Sequence, residues 1–214
     1  MIKIRPMEER DIKGVVEIET ASFSQPWSAK GFSDSLSCKE TIYVVAEEGD
    51  RIMGYCGIYT GSDQGEIPNV AVRKECRNGG IGRQMLMELL HLAKRRGIRS
   101  ICLEVRISNQ SAIHLYESLG FERVGIRKDF YEQPKEDGMI MIKEEKIRCQ
   151  CCGKMARFEN GLMKDDFLHI EKEWGYFSKK DGTHHEFNVC EECYDKWVAE
   201  FVQSPENEES LELL

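Results

Sequence analysis

Two Cys-x-x-Cys pairs, Cys149/Cys152 and Cys190/Cys193, lie in the last third of a 214-residue chain that carries nine cysteines. Each pair can form a short knuckle, and two knuckles supply the four thiolates that tetrahedral zinc binds at about 2.3 Å. Such a set constrains folding strongly, because it makes two turns separated by residues 153–189 meet at one point. The other cysteines, Cys38, Cys56, Cys76 and Cys102, are isolated. Charge changes at the same place. Residues 1–146 hold 22 Lys+Arg and 23 Asp+Glu, a net of −1, whereas residues 147–214 hold 8 and 15, a net of −7. The charged stretch Lys143-Glu144-Glu145-Lys146 stands between them. The chain therefore reads as a domain over 1–146, a small zinc-ribbon-like domain over 147–202, and an acidic, frayed tail over 203–214.

Several classes are excluded by what is missing. At 41% hydrophobic residues the chain can bury a core and is too apolar for a disordered one. No apolar run approaches the roughly 20 residues of a membrane span. Met1-Ile2-Lys3-Ile4-Arg5 lacks the apolar stretch of a signal peptide. The expectation is a cytoplasmic protein with reduced thiols and no membrane partner. A balanced domain followed by an acidic one also argues against direct nucleic-acid binding, which needs clustered Lys and Arg.

The first domain alternates strand and helix signals. Ile2 and Ile4 suggest a short strand. Ile12, Val15, Val16 and Ile18 share one helical face, and Ser28 is a plausible N-cap for a helix carrying Phe32 and Leu36. Strands are expected over 42–46 and 52–59, joined by Gly49-Asp50, and over 67–72. A long helix follows from Ile81, closed by Lys94-Arg95-Arg96-Gly97. A strand over 101–105, a helix after Ser108-Asn109, and strands around Phe130-Tyr131 and Met139–Ile142 complete a mixed α/β pattern. Further strand-like pieces are expected over 167–170, 174–177 and 186–189.

Between a strand and a helix stands Arg77-x-x-Gly80-x-Gly82. Helix N-termini offer unpaired N–H groups and the positive end of the dipole, and glycines let a diphosphate approach them. Arg77 and Arg83 add charge. The loop is no Walker motif, since no Gly-Lys-Ser/Thr follows, and it lacks the Rossmann spacing. Alone it reads equally well as an ordinary turn.

Further segments accompany it in order: Pro26-Trp27-Ser28, Asn69-Val70-Ala71-Val72, Leu103-Glu104-Val105-Arg106-x-Ser108-Asn109 and Ala112-Ile113-x-Leu115-Tyr116-Glu117-Ser118-Leu119-Gly120-Phe121. Together they resemble the GNAT acetyltransferases over about residues 2–143. The resemblance is closest to the RimI branch, the N-terminal alanine acetyltransferases of ribosomal proteins. It implies a GNAT fold, a mixed and mostly antiparallel sheet flanked by helices, with acetyl-CoA as co-substrate. It assigns the pantetheine arm to the main chain of Val70, Ala71 and Val72. The diphosphate falls to Arg77, Asn78, Gly79, Gly80, Gly82 and Arg83, and a further coenzyme contact to Asn109.

Acetyl transfer to an amine needs a base for the protonated amine and an acid for the departing thiolate. The resemblance gives these roles to Glu104 and Tyr116, with Tyr131 a candidate for the peptide end. Without it, Glu104 reads as a strand carboxylate, Tyr116 as a core aromatic and Asn109 as a helix cap. Direct transfer needs no covalent enzyme intermediate, so Cys76 and Cys102 are assigned to packing or surface. The implied acceptor is a protein N-terminus, that of ribosomal protein eighteen of the small subunit. Alternatives are a lysine or small-molecule amine acetyltransferase, or a non-catalytic coenzyme A-binding interaction protein with a zinc module.

The resemblance does not reach residues 148–214. Cys149, Cys152, Cys190 and Cys193 are the expected ligands of a structural zinc ion, since four cysteines leave no open position for chemistry. Cys151, His169, His184 and His185 remain alternative ligands. An acidic module would also attract a basic peptide or ribosomal protein.

Overall fold

A computed structural model describes residues 2–159 and 162–206. The part of the expected acidic tail from 207 onward lies outside these residues. The chain divides into two compact units between Glu145 and Lys146.

The first unit is built on one eight-stranded sheet. Its strands are β1 (Lys3–Pro6), β2 (Thr41–Glu48), β3 (Arg51–Gly61), β4 (Gln64–Ile67), β5 (Val70–Val72), β6 (Ser100–Arg106), β7 (Glu122–Glu132) and β8 (Lys135–Glu144). They run in the order β1-β2-β3-β4-β6-β8-β7, with β5 paired to β3. Only the β4–β6 pair is parallel; every other pair is antiparallel.

Alternation along β2 feeds two cores. Ile42, Val44 and Ala46 face one cluster, which also holds Ile81, Met85, Leu86, Leu89 and Ala93 of α3 (Ile81–Arg95) and Ile113 and Tyr116 of α4 (Gln110–Ser118). Tyr43 and Val45 face the other, with Ile12, Val15 and Ile18 of α1 (Ile12–Ser22) and Phe32 of α2 (Ala29–Leu36). A period of two places successive side chains on opposite faces, so helices cover both sides of the sheet. Local caps agree with the sequence: Ser28 accepts a bond from Gly31 N–H at 3.1 Å, and Asn109 one from Ala112 N–H at 3.3 Å. Gly97, at φ +78°, follows the end of α3.

The strand expected over 67–72 is two strands. Pro68 has no N–H to donate, and beyond it the chain stays beside β3 but no longer pairs with β6. The short signals at 130–131 and 139–142 prove to be parts of one long hairpin, β7–β8.

The second unit contains β9 (Phe158–Glu159), β10 (Leu162–Met163), β11 (Phe167–Glu173), β12 (His184–Cys190) and α5 (Glu191–Val198). β9 pairs with β10 and β11 with β12, both antiparallel. Trp174–Phe177, expected as a strand, lies in the β11–β12 connection. The chain must reverse there, and Trp174 exchanges main-chain bonds with Thr183 (3.0 Å) and Gly182 (3.1 Å) that close the turn. Among the described residues no helix is long and apolar enough to cross a membrane.

Candidate active site and thiol cluster

The first unit's sheet opens at one place. β4 pairs with β6 only as far as Ile67 and Leu103, while β5 pairs with β3. Beyond Leu103, β6 keeps its pairing to β8, with Glu104 opposite Ile140. Two clefts lie at the opening, of about 590 and 640 Å³. They share Ser22, Phe23, Val70, Asn109 and Tyr116.

The first cleft gathers nearly every residue expected to meet the coenzyme: Val70, Ala71, Val72, Arg77, Asn78, Gly80, Gly82, Arg83 and Asn109 line it, and Gly79 does not. The loop turns through Asn78 and Gly80, both left-handed at φ +62° and +79°. The first bond inside α3 runs from Gln84 N–H to Gly80 at 3.1 Å. The N–H groups of Ile81, Gly82 and Arg83 thus have no partner within the helix, which makes the N-terminus a seat for an anion. Each arginine is anchored. Arg77 Nε donates to the Val72 carbonyl at 3.0 Å, and Arg83 Nη1 donates to Ser118 Oγ at 2.6 Å.

The second cleft holds Glu104, Tyr131, Phe130, Trp27 and Phe23. Arg127 Nη1 pairs with Glu104 Oε1 at 3.0 Å. The Tyr131 hydroxyl donates to the Glu104 main-chain carbonyl at 3.2 Å, and the Arg106 guanidinium lies 4.1 Å from the centre of the Tyr131 ring. Arg106 also donates to Glu136 and to the carbonyls of Gln133 and Pro134, pinning the β7–β8 turn beside the cleft. Burial pushes the Tyr131 phenol up to about 12, with Arg106 opposing it. Tyr116, where the clefts meet, is buried, and burial raises its phenol well above the ordinary value. It therefore stays protonated at neutral pH and can donate.

Sequence reasoning missed Glu19, Glu66 and Asn69, all of which line the second cleft. Glu19 is 2% exposed. It accepts bonds from Trp27 N–H and the Tyr55 hydroxyl, and burial raises its pKa. Its signal was available, since Ile12, Val15 and position 19 fall on one helical face. Asn69 is a polar residue inside an apolar stretch.

In the second unit the sulfurs of Cys149, Cys152, Cys190 and Cys193 all lie within 4.8 Å of one another. The Cys152–Cys190 separation is 3.6 Å. Tetrahedral zinc with 2.3 Å bonds needs about 3.8 Å between sulfurs. Cys190 ends β12 and Cys193 sits in the first turn of α5. Cys151 is exposed and stands outside the set. The alternative histidines stand outside it too: His169 meets Asn188 at 2.9 Å, His184 lies 3.7 Å from Glu171, and His185 packs on Trp174. Burial pushes the Cys149 thiol up, but N–H bonds from Cys190, Cys152 and Cys151 outweigh it and lower its pKa. The Cys190 thiol is raised by burial, and that of Cys193 by its bond to Cys152 and by burial. Cys149 forms its thiolate readily while Cys190 and Cys193 resist, which is what a divalent cation would relieve.

A sheet split beside a glycine-opened helix defines a coenzyme A-dependent acyltransferase. The chain belongs to the acetyltransferase (GNAT) family, whose model matches residues 12–121. A Bacillus subtilis protein, provisionally named a ribosomal protein bS18 alanine N-acetyltransferase, is 37% identical over 139 residues, which are 64% of this chain and 92% of its own length. The Escherichia coli ribosomal protein bS18 alanine N-acetyltransferase is 32% identical over 143 residues, 66% of this chain and 96% of its own. The crystal structure of the Escherichia coli ribosomal-protein alanine N-acetyltransferase superposes with a TM-score of 0.63 at 28% identity, covering 72% of this chain and 100% of that one.

Proposed function

We propose that the chain transfers an acetyl group from acetyl-CoA to the N-terminal amine of a protein, with small-subunit ribosomal protein eighteen as the acceptor. The observation that carries this reading is the meeting of two clefts at Tyr116, one lined by the phosphate loop and the other by Glu104. The relatives' named activity supports the choice of acceptor.

The chemistry follows from the residues. The α3 N-terminus, with Arg77 and Arg83 beside it, holds the diphosphate. The main chain of β5 aligns the pantetheine arm, and Asn109 makes a further coenzyme contact. The acceptor arrives as an ammonium, and Glu104 takes its proton. The freed nitrogen bonds to the acetyl carbon, the carbon–sulfur bond breaks, and the acylated nitrogen sheds its second proton, which restores the one Tyr116 gives to sulfur. A phenol raised by burial is a weaker acid than a thiol near 8.5. Tyr116 therefore acts through a hydrogen bond to the developing thiolate and passes its proton only as that bond breaks. Tyr131 supports Glu104 and the peptide end of the cleft.

Cys149, Cys152, Cys190 and Cys193 suit one structural zinc ion, which would cross-link the first knuckle to the start of α5. All four donors are thiols, so no position is left for chemistry.

Peptides with a free N-terminal alanine, the same peptides blocked at the N-terminus but carrying lysine, and small amines are assayed with acetyl-CoA. Product from the first set alone is the expected result. Product from lysine or small amines alone would overturn the acceptor.

A further inference from the structure

We propose that Asn69 is a substrate-binding residue whose amide oxygen accepts a hydrogen bond from the acceptor amine. The inference rests on the acetyl-transfer reading above. Asn69 occupies the step between β4 and β5 and lines the same cleft as Glu104. It is 6% exposed, and its main-chain carbonyl is engaged by Gly57 N–H at 3.3 Å. Its side-chain Oδ1 is buried with no hydrogen-bond partner among the described residues. Buried polar atoms are nearly always paired, and an orphaned acceptor destabilises the fold that carries it. A ligand with an N–H to donate would remove that penalty.

The reaction calls for such an acceptor. An ammonium has three N–H bonds. Once Glu104 has taken one proton, two remain, and the lone pair must face the acetyl carbon. An acceptor other than the base stops rotation about the C–N bond and so aims the lone pair. An amide oxygen suits this place because it is neutral. It accepts at every working pH and does not compete for the proton as another carboxylate would. The covalent step is unaltered: the N–C bond forms, the C–S bond breaks, one nitrogen proton passes to Glu104, Tyr116 gives one to sulfur, and the second proton shed by the acylated nitrogen restores Tyr116.

Primary amines are then preferred over secondary ones, because the single N–H of a deprotonated N-methylated amine must point at Asn69, which forces its methyl into the place of the other hydrogen. The test compares the full-length wild type with Asn69→Leu and Asn69→Ala, on an N-terminal alanyl peptide and its N-methylalanyl twin. Asn69→Leu should melt no lower than wild type and bind coenzyme A within about twofold, since the lost oxygen has no partner to abandon. Its kcat/KM for the alanyl peptide should fall about tenfold or more, and its preference over the N-methyl twin should collapse. The pH profile should not move. Wild-type rates, a preserved preference, or a loss shared equally by coenzyme affinity would overturn the assignment, as a lone water serving Oδ1 would predict. Asn69→Ala is read in the same way should the leucine variant not fold. A wild type that acetylates neither peptide would overturn the acceptor reading together with this assignment, whereas an active wild type with unaffected variants overturns this assignment alone.

Discussion

The two units hold themselves together by different means. Thirty buried apolar residues fill the two clusters of the first unit, twenty in one and ten in the other. The second unit has five buried residues in its cluster, and three of them are cysteines, Cys149, Cys190 and Cys193. Burying apolar surface contributes roughly 25 cal/mol per Å², so the first unit can stabilise itself by burial. A unit of the second one's size has too little such surface and needs a cross-link. Cysteine means something different in each. Cys56 is an apolar filler whose buried thiol is pushed far above its ordinary pKa, whereas the Cys149 thiol, met by N–H groups of its own knuckle and of Cys190, is drawn below it. The lesson is that a residue type acquires its role from how much core surrounds it.

Removing the metal tests this contrast most severely. Purified without added zinc, the protein should carry about one zinc per chain, and Cys190→Ser should carry almost none. Hydrogen exchange should then show the second unit unprotected and the first unchanged. A metal-free wild type whose second unit stays protected would break the comparison. Next in size comes Glu104→Gln, which should lower kcat by about 100-fold or more while coenzyme affinity holds. Equal loss of both would mean that Glu104 supports the coenzyme cleft rather than the proton transfer. Tyr116→Phe should cost less, about 10- to 100-fold in kcat, because a hydrogen bond is lost and not the base. Because burial raises the Tyr116 phenol, its ionisation should add no falling limb to the rate between pH 6 and about 10, the ordinary tyrosine value.

Smaller effects come from two buried acids of the first unit with opposite signs. Burial works to raise Asp11, but bonds from Arg5 at 2.6 and 2.8 Å outweigh it and lower its pKa. Its stabilisation is present above the unfolded value near 4 and is lost as pH falls through the lower folded value. Glu19 is raised, mainly by burial, so the folded chain takes up that proton first and gains stability as pH falls through the raised value. Denaturant melts from pH 7 to pH 3 should find a shallower acid loss in Asp11→Asn and a steeper one in Glu19→Gln. Matching slopes in the two variants would contradict this assignment of signs.

Much of the candidate site was legible because it is local. The phosphate loop, the caps at Ser28 and Asn109 and the long helix from Ile81 depend on residues within a few positions of one another. The same holds for the two cysteine knuckles. Asn69 was illegible as a site residue because its meaning is burial off any periodic face, whereas the burial of Glu19 was readable from its helical face but its place in the cleft was not. Glu104 illustrates the middle case. Its strand could be read from alternation, but its pairing with Arg127 reaches across β8, which lies between β6 and β7 in the sheet.

The sequence by itself determined the helices and their ends, the place where charge and cysteine usage change, and the residue types available for chemistry. These follow from backbone and side-chain preferences that act over short range. Only the tertiary structure decided that residues 67–72 divide, β4 lying between β3 and β6 while β5 pairs with β3 alone. It also decided that Cys151 is left out of the thiol cluster while Cys149, Cys152, Cys190 and Cys193 converge. Both outcomes depend on which distant strand satisfies a main-chain N–H or brings a sulfur within reach, and such a partner is chosen only when the sheet assembles.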